Sequence, residues 1–485
     1  MALTLPALLR RALRGVLRSL LFLPAGVAPA LAALPEIGDP AGSLVPSISE
    51  RRLGEALLQE LRRKGLVLDD APSQAYLRAL ADRLAVASGA PARSFLVFLV
   101  RDPSINAFAA PGGFIGVHTG LVRAARTESE LAAVLAHEMA HVTQRHLARA
   151  FEEARRLSLP AAAALLAAAL IGVRDPNAGS AALAAGMAGV AQRRINFTRA
   201  HEREADRVGI ELLARAGLSP EGMPRFFERL ARERRLYGRE PPEFLSTHPV
   251  STSRIADARA RIADLAGGRE DSPKFQLVRA RLEVLTATDP AEAAKRFRKA
   301  VASGTYASRE AARYGLALAL LRAGRATEAV PVLRALARDD PDRILYRIDL
   351  ARALTESGRV NEARSLLEAT LRIFPSNTLV LRALARTLLA AGEATRARTL
   401  LEPLARPGSG DPALHELYAR AAEAAGALAQ AHRAQAEIYV LNGQVEAAIG
   451  QLERALQLAR DDYYEAERIR ARLVELREQA RLAKH

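Results

Sequence analysis

The stretch "ELAAVLAHEMAHVTQRHLARA" (residues 130–150) places His137 and His141 four residues apart, with Glu138 beside the first. Residues at this spacing lie one turn apart on the same face of a helix, so both imidazoles can bind one zinc ion. Glu138 would then lie near the open coordination position, where a carboxylate can take a proton from water. The pattern predicts a zinc-dependent hydrolase, and the alternative is a surface helix with solvated histidines.

A catalytic zinc site usually takes a third protein ligand. His146 is a poor candidate, because it follows His141 by five residues and not by the six of the HExxHxxGxxH pattern, and Gln144 stands at the glycine position of that pattern. We therefore expect the third ligand to come from a distant part of the chain.

The stretch "HEREADRVGIELLARAG" (201–217) is the candidate for that ligand. Glu202 and Asp206 lie four residues apart on one face of a predicted helix. This suits one carboxylate as a zinc ligand and a second that holds the far nitrogen of a ligand histidine. Glu204 points to another face and is expected to be solvated, whereas His201 stays a competing ligand.

The composition excludes several classes of function. The chain of 485 residues has a formal net charge of +16, almost all of it from arginine. No basic block is interleaved with aromatic residues, so the charge is interpreted as solvated helix faces, and nucleic acid is not an expected partner. Cysteine is absent, which excludes disulfides, thiol catalysis and cysteine-ligated zinc.

Residues 1–33 have the features of a secretory signal peptide. Arginines precede the apolar run "SLLFLPAGVAPALAA" (19–33), which ends in alanines that suit an A-x-A-like cleavage site. The run is short and contains two prolines, so an uncleaved spanning anchor is the less favoured alternative. We expect the mature chain to begin with an extended leader and to be exported to the periplasm.

Residues 34–270 are predicted to form the hydrolase domain. Amphipathic patterns indicate helices near 48–64 and 72–88, and short strands are expected at 94–100 and 106–122 around a Pro-Gly-Gly turn.

A capping box at Thr127 and Glu130 opens the helix that carries the histidine pair, and the helical pattern extends to about residue 157. The alanine-rich runs 159–173 and 180–191 are each too short to cross a bilayer as a straight helix. A buried hairpin or a mobile flap is the favoured interpretation, and dipping into a membrane is the alternative.

Residues 271–485 repeat with a period of 34. The glycines that keep this period are Gly324, Gly358, Gly392 and Gly426, and alanines and leucines recur in phase with them. This is typical of a tetratricopeptide array, in which the glycine lies at the turn within each helix pair. Residues 272–305 are interpreted as a degenerate first unit. The predicted fold is therefore mainly α with a small β element, a metallopeptidase domain followed by a tetratricopeptide α-solenoid.

Three motifs together resemble the zinc metallopeptidase family of HtpX and the CAAX prenyl proteases. They are "HEMAH" (137–141), "EREAD" (202–206) and "STHPVSTSRI" (246–255), and "NAFAAPGG" (106–113) ahead of them fits the same family. The signal peptide, the "LPEIG" leader, "HVTQRHLARA" and the repeats narrow the resemblance to the periplasmic branch that acts in outer-membrane protein assembly.

The resemblance implies roles for individual residues. The zinc ligands would be His137, His141 and Glu202, the catalytic base Glu138, and the conserved second acid Asp206. On physical grounds we favour Asp206 as the group that orients a ligand histidine.

The resemblance also places His248 and Arg254 near the metal. Either of them could stabilise a developing oxyanion. His248 could instead occupy the open position of zinc and keep the enzyme inactive until it moves. The substrate peptide is expected to pair as a strand along the edge near Asn106–Ala109.

The expected partners follow from the same resemblance. The repeats would bind misfolded or stalled outer-membrane proteins and the outer-membrane assembly machinery, and peripheral contact with the membrane is compatible with this role. The alternative function is a tetratricopeptide adaptor or chaperone in which proteolysis is secondary or latent. A membrane-embedded prenyl-protein protease is excluded, because the sequence lacks the spanning helices that such an enzyme requires.

Overall fold

The computed structural model describes residues 48–92, 94–146, 199–237, 244, 247–265 and 267–482 of the chain. The predicted signal peptide and the two alanine-rich runs lie outside the described residues. Leu44–His485 form one compact unit. Among the residues that the structure describes, no helix is both long and apolar enough to cross a membrane.

A small sheet lies at the centre of the N-terminal part. Its strands are β1 (Leu96–Val100), β2 (Ala107–Ala110) and β3 (Phe114–His118), in the order β1-β3-β2, with β1 parallel and β2 antiparallel to β3. The predicted Pro-Gly-Gly turn joins β2 to β3. Gly112 has φ +77° there, and a Cβ at this position would lie 2.6 Å from the Cα of Arg51, so the turn requires glycine.

Helices surround this sheet. They are α1 (Ile48–Arg63), α2 (Ala71–Ala87), α3 (Thr119–Ala124), α4 (Glu128–Thr143), α5 (Arg199–Arg215), α6 (Gly222–Tyr237) and α7 (Thr252–Ile262). The predictions for α1 and α2 are confirmed. The strand expected to reach residue 122 ends at His118, because Thr119 and Gly120 donate hydrogen bonds to the carbonyl of Asp102 and turn the chain into α3.

Helix α4 carries the HExxH motif and is almost entirely buried. Thr127 is its N-cap, and its side-chain oxygen accepts a hydrogen bond from the amide of Glu130 at 3.3 Å, as predicted. The helix ends at Thr143 and not near residue 157. The prediction was wrong because Arg145 adopts a left-handed conformation (φ 52°) that the apolar pattern does not reveal.

The C-terminal part is the predicted solenoid of helix pairs. Its helices are α8 (Pro273–Leu285), α9 (Pro290–Ser303), α10 (Arg309–Arg322), α11 (Ala326–Asp339), α12 (Ile344–Glu356), α13 (Val360–Ile373), α14 (Thr378–Ala390), α15 (Ala394–Leu401), α16 (Pro412–Ala424), α17 (Leu428–Leu441), α18 (Val445–Leu458) and α19 (Tyr463–Leu482). The four phased glycines all have positive φ at the turns inside the pairs. Ala329, Ala363 and Ala397 are fully buried where helices cross.

The solenoid contacts the N-terminal part through several hydrogen bonds, and two of them show how far apart in sequence the partners are. Arg281 of α8 donates hydrogen bonds to both carboxylate oxygens of Asp70, the N-cap of α2, at nitrogen–oxygen distances of 2.8–3.0 Å. Further along the array, Arg62 of α1 donates to the carbonyl of Gly410, in the turn between α15 and α16, at 2.9 Å. These contacts connect residues that are 211 and 348 positions apart in sequence.

Candidate metal centre

His137 and His141 come together on the buried face of α4. Both side chains are fully buried, and their Nε2 atoms are 3.0 Å apart. Two imidazole nitrogens that face each other at this distance, away from water, form the kind of arrangement that a shared cation stabilises. The geometry therefore agrees with the helical spacing read from the sequence.

Glu202 of α5 brings the third donor to the same point. Its carboxylate oxygens lie 3.5 Å from Nε2 of His137 and 3.4 Å from Nε2 of His141. The side chain is only 2% exposed, so the carboxylate is held inside the protein beside both imidazoles.

His248 supplies a fourth donor. Its Nδ1 lies 3.2 Å from Nε2 of His137 and 3.0 Å from an oxygen of Glu202. The four residues each offer one donor atom, and these four atoms all lie within 4.8 Å of one another. Donors of a tetrahedral zinc site, with bonds of about 2.0–2.1 Å, lie about 3.3 Å apart. The three nitrogens and one carboxylate therefore fit zinc in both chemistry and spacing.

Asp206 and Arg254 form a second layer behind these donors. Asp206 lies 3.0 Å from Nδ1 of His137, on the opposite side of the ring from the cluster. Arg254 donates two hydrogen bonds of 2.7 Å to Asp206, and its Nη1 lies 2.7 Å from Glu202. Because these contacts engage its guanidinium, the geometry favours Arg254 as a positioning residue over the oxyanion role that the sequence also allowed.

Glu138 lies beside the cluster and next to the edge strand. One oxygen accepts a hydrogen bond from the amide of Ala109 in β2 at 2.9 Å, and the other is 3.5 Å from Nε2 of His248. Burial raises the pKa of the Glu138 carboxyl, and the nearby His248 and His137 oppose that rise. A carboxylate with a raised pKa in this place suits a group that accepts a proton and later returns it.

The charges of the cluster determine the pKa values of its members. Burial alone would raise the pKa of Glu202, but His248, His137 and His141 outweigh it and hold the pKa far below its usual range. Burial opposes a charge on His137, yet hydrogen bonds to Asp206 and Glu202 raise its pKa to about 9. Burial, together with the charges of His137 and His248, holds the pKa of His141 well below its usual range, which favours the neutral imidazole that a metal ion requires.

His146 is not at the cluster but behind it. Its Nδ1 lies 3.0 Å from Nδ1 of His141, and its Nε2 lies 3.2 Å from Glu204. The left-handed conformation of Arg145 folds the chain back so that this ring reaches His141. The side chain of Glu204 is 42% exposed, as its expected solvation requires, but its contact with His146 was not predicted.

His201 and Phe244 complete the surroundings. The ring of His201 stacks on that of His146, with centroids 4.4 Å apart, so it lies outside the donor cluster. The ring of Phe244 stacks on His248, and its amide donates to the carbonyl of Ile105 just before β2. Phe244 was not predicted from the sequence, in which its signal was its place four residues before His248.

Family comparisons agree with this division of the chain. Residues 71–262 match the model of peptidase family M48. Tetratricopeptide repeat models match residues 282–344, 320–378 and 354–421.

Individual relatives that match this chain are proteases by name. The beta-barrel assembly-enhancing protease of Escherichia coli K12 is 37% identical over 325 residues, and that of Yersinia pestis is 36% identical over 322 residues. Each match covers 66% of this chain and 66% of the relative, which is just under two thirds of the relative's own length. The mitochondrial metalloendopeptidase OMA1 of Schizosaccharomyces pombe is 31% identical over 201 residues, 41% of this chain and 56% of the relative.

Proposed function

The chain belongs to peptidase family M48, and from this premise we propose that it is a zinc-dependent endopeptidase that acts on outer-membrane proteins in the periplasm. One observation carries the proposal. The donor atoms of His137, His141 and Glu202 converge at one buried point, with the Glu138 carboxylate beside them and next to the edge strand β2.

The zinc ligands in this proposal are His137, His141 and Glu202. A zinc ion bound there would polarise a peptide carbonyl and lower the pKa of a water molecule. Glu138 accepts the proton of the attacking water and delivers it to the nitrogen of the leaving amine. Its hydrogen bond from Ala109 keeps that carboxylate oriented between water and substrate.

The substrate peptide pairs with the edge strand β2. Strand β2 is buried in this structure, so we expect a peptide to pair with its main chain only when the edge opens, and the amide of Ala109 is already used by Glu138. Main-chain pairing fixes the scissile carbonyl and places few demands on sequence, which suits the hydrolysis of unfolded segments.

His248 has two candidate roles. Its Nδ1 lies among the donors, which supports a resting state in which His248 occupies the open coordination position. If the segment carrying it moves, the same ring can instead stabilise the oxyanion that forms on the substrate. The stacked Phe244 ring would move with it.

The outer groups act as positioning residues. Asp206 holds Nδ1 of His137, and Arg254 holds both Asp206 and Glu202 in place. His146 does the same for His141. With Nε2 of His141 facing the metal, its Nδ1–H donates to Nδ1 of His146, whose Nε2–H donates to Glu204.

The proposed organisation of the whole chain is a signal peptide at 1–33, a metallopeptidase domain at 34–270 and a repeat domain at 271–485. The signal supports the periplasm as its location. The relatives' names support a role in β-barrel assembly, in which the repeats bind stalled outer-membrane proteins and the assembly machinery. Chaperone activity with latent proteolysis is the second candidate, and the position of His248 among the donors favours it.

Metal content tests the ligand assignment. The purified wild-type chain should hold one zinc ion, and His141→Ala or Glu202→Ala should lose most of it. His201→Ala is the matched control and should keep the metal, because His201 lies outside the cluster. Full zinc in Glu202→Ala together with loss in His201→Ala would contradict the assignment.

A further inference from the structure

The ring of Phe244 fills a pocket beside the metal centre. It is fully buried and packs against the rings of Phe226 and Phe227 on α6, with centroids 6.2 Å and 6.5 Å away. On the other side its centroid lies 6.2 Å from that of His137 and 5.0 Å from that of His248, on which it stacks. This space, the Phe244 pocket, therefore has an apolar wall and borders the donor cluster.

The main chain of Phe244 occupies a position on the outer edge of the sheet. His118 of β3 donates to the carbonyl of Asn106 at 3.1 Å, so Asn106 faces β3. Hydrogen-bonding groups alternate sides along an antiparallel strand, and the carbonyl of Ile105 therefore faces away from β3. That carbonyl accepts a hydrogen bond from the amide of Phe244 at 3.1 Å. An extended peptide that pairs with this edge would donate to the same acceptor.

Phe244 and His248 are connected through one helical turn. The amide of His248 donates to the carbonyl of Phe244 at 2.7 Å, and the hydroxyl of Thr247 donates to the same carbonyl at 3.2 Å. Because their rings also stack, Phe244 moves when His248 leaves the donor cluster. Its departure frees both the Phe244 pocket and the carbonyl of Ile105.

These contacts have the features of a bound peptide substrate. An amide donates to the outer edge of the sheet, a ring fills the neighbouring pocket, and the imidazole of His248 lies among the donors, where the proposed function places the scissile carbonyl. Main-chain pairing places few demands on sequence, so a preference for one kind of side chain has to come from the pocket. A pocket that holds a phenylalanine ring of this chain suits the same ring on a substrate.

We propose that the Phe244 pocket is the specificity subsite of the peptidase and takes an aromatic or large apolar side chain next to the cleaved bond. Phe244 occupies this subsite until it is displaced, and it competes with the side chain of the substrate. The inference rests on the proposed function and specifies its substrate class. The substrates are unfolded segments that expose aromatic or large apolar residues.

Peptide binding to the full chain carrying Glu138→Gln tests the subsite without cleavage of the probe. The probes are two fluorescein-labelled, amidated octapeptides of glycine and serine, one with a central phenylalanine and the other with alanine in its place. Anisotropy gives both affinities before and after Phe244→Ala is added. We expect the added substitution to increase the preference for the phenylalanine probe by about ten-fold or more, because burial of a ring in the vacated pocket is favourable.

Two matched variants test the wall of the pocket. Phe226→Leu changes the ring that meets Phe244 edge-on, whereas Phe275→Leu makes the same change at another fully buried phenylalanine, which packs against Tyr76. In the Glu138→Gln, Phe244→Ala background, Phe226→Leu should lower the preference for phenylalanine by about two- to ten-fold, the usual contribution of an edge-to-face pair. Phe275→Leu should leave the preference unchanged. Both changes remove the same atoms from buried sites, so a loss of stability alone cannot separate them.

A spectroscopic measurement reports the displacement of the ring directly. The chain contains no tryptophan, so Phe244→Trp introduces a single indole whose emission depends on its exposure to water. We expect the short emission wavelength of a buried indole in the free chain. Unlabelled phenylalanine peptide should shift this emission to longer wavelength in a saturable manner, and equal concentrations of the alanine peptide should not.

Three results would overturn the proposal. They are an equal change in affinity for the two probes on Phe244→Ala, an equal loss of preference in the Phe226→Leu and Phe275→Leu variants, and no emission shift with the phenylalanine peptide. None of these measurements requires hydrolysis. If wild type cleaves casein but the probes show no preference, the subsite is wrong and the peptidase activity stands. If the probes show the preference but wild type does not cleave casein, the pocket binds peptide and the proposed peptidase activity is wrong.

Discussion

His141 depends on groups that do not face the metal site. Its Nδ1 contacts His146, and His146 contacts Glu204 on α5. Removing such a partner typically weakens metal binding by about 10–100-fold, because the ligand ring loses its orientation. We therefore expect Glu204→Gln to lower zinc affinity moderately and His146→Phe to lower it more.

Competition with a zinc chelator measures this effect. Glu211→Gln is the control, since Glu211 lies on the same helix and forms ion pairs with the partly exposed Arg207 and Arg215. If Glu204→Gln and Glu211→Gln bind zinc equally well, the contact between His146 and Glu204 does not support the site.

His248 gives a prediction whose sign identifies its role. If His248 blocks the open coordination position, His248→Ala should raise the rate of casein cleavage, as removal of a competing ligand would. If it stabilises the oxyanion, the rate should fall by about 10²-fold or more. The position of Nδ1 among the donors makes us expect the increase. An unchanged rate would contradict both roles.

Much of the site could be predicted at this scale, and the rest depends on folding. The HExxH spacing and the pair Glu202 and Asp206 follow helical periodicity, so their faces could be read from the sequence. The contact of His146 could not, because it requires a left-handed residue at Arg145. The two hydrogen bonds from Arg254 to Asp206 connect α7 with α5, and they form only because these helices pack against each other.

At the scale of the elements, the first residue of a helix was easier to predict than its last residue. Thr127 caps α4 as expected because its side chain acts within one turn. The companion Glu130 departs from the capping box, since its carboxylate accepts from the amide of Arg126 and from the guanidinium of Arg229. The end of α4 depends on backbone conformation beyond the helix, for which the apolar pattern holds no information.

The contact of α8 with α2 is expected to stabilise the fold strongly. Arg281→Gln would leave Asp70 and Asp349 buried without their partner, which typically costs about 3–5 kcal/mol. Urea unfolding of the full chain measures the change. The control Arg296→Gln removes a surface pair with Glu283 and should cost about 0–1 kcal/mol. Equal shifts in the two variants would contradict a structural role for the buried pair.

The same contact predicts a dependence on pH. Burial alone would raise the pKa of Asp70, but Arg281 and Ser73 outweigh it and lower the pKa in the folded chain. A carboxyl with a depressed folded pKa stabilises the fold above its unfolded pKa of about 3.9, and the effect is lost as the pH falls through the folded value. The difference between wild type and Arg281→Gln should therefore shrink below about pH 4, and a constant difference would contradict this account.

For the whole molecule, the period of 34 residues was sufficient to predict the solenoid, but it did not predict how the solenoid packs against the N-terminal part. Repeats stack on their neighbours, so phased glycines and alanines specify the array locally. Its docking on the N-terminal part rests on pairs such as Arg62 with Gly410, whose sequence separation is 348 residues. Nothing in a local pattern indicates such a contact.

The division of labour between the two parts can be tested by recruitment. Residues 34–270 should keep weak cleavage of unfolded peptides, whereas the repeats should supply most of the affinity for outer-membrane assembly components, because strand pairing selects little besides backbone. Pull-downs with residues 34–270, residues 271–485 and the full chain measure this. Capture by 34–270 as efficient as that by the full chain would contradict the role of the repeats.

The catalytic role of the buried cluster is tested by casein cleavage with Glu138→Gln, compared with wild type at equal zinc content. Glutamine preserves the shape of the side chain but cannot accept the proton of the attacking water. We expect full zinc occupancy with a rate lower by about 10²–10⁴-fold, the usual effect of removing a general base. Cleavage at the wild-type rate by the zinc-loaded variant would contradict the assignment of this buried cluster as the catalytic centre.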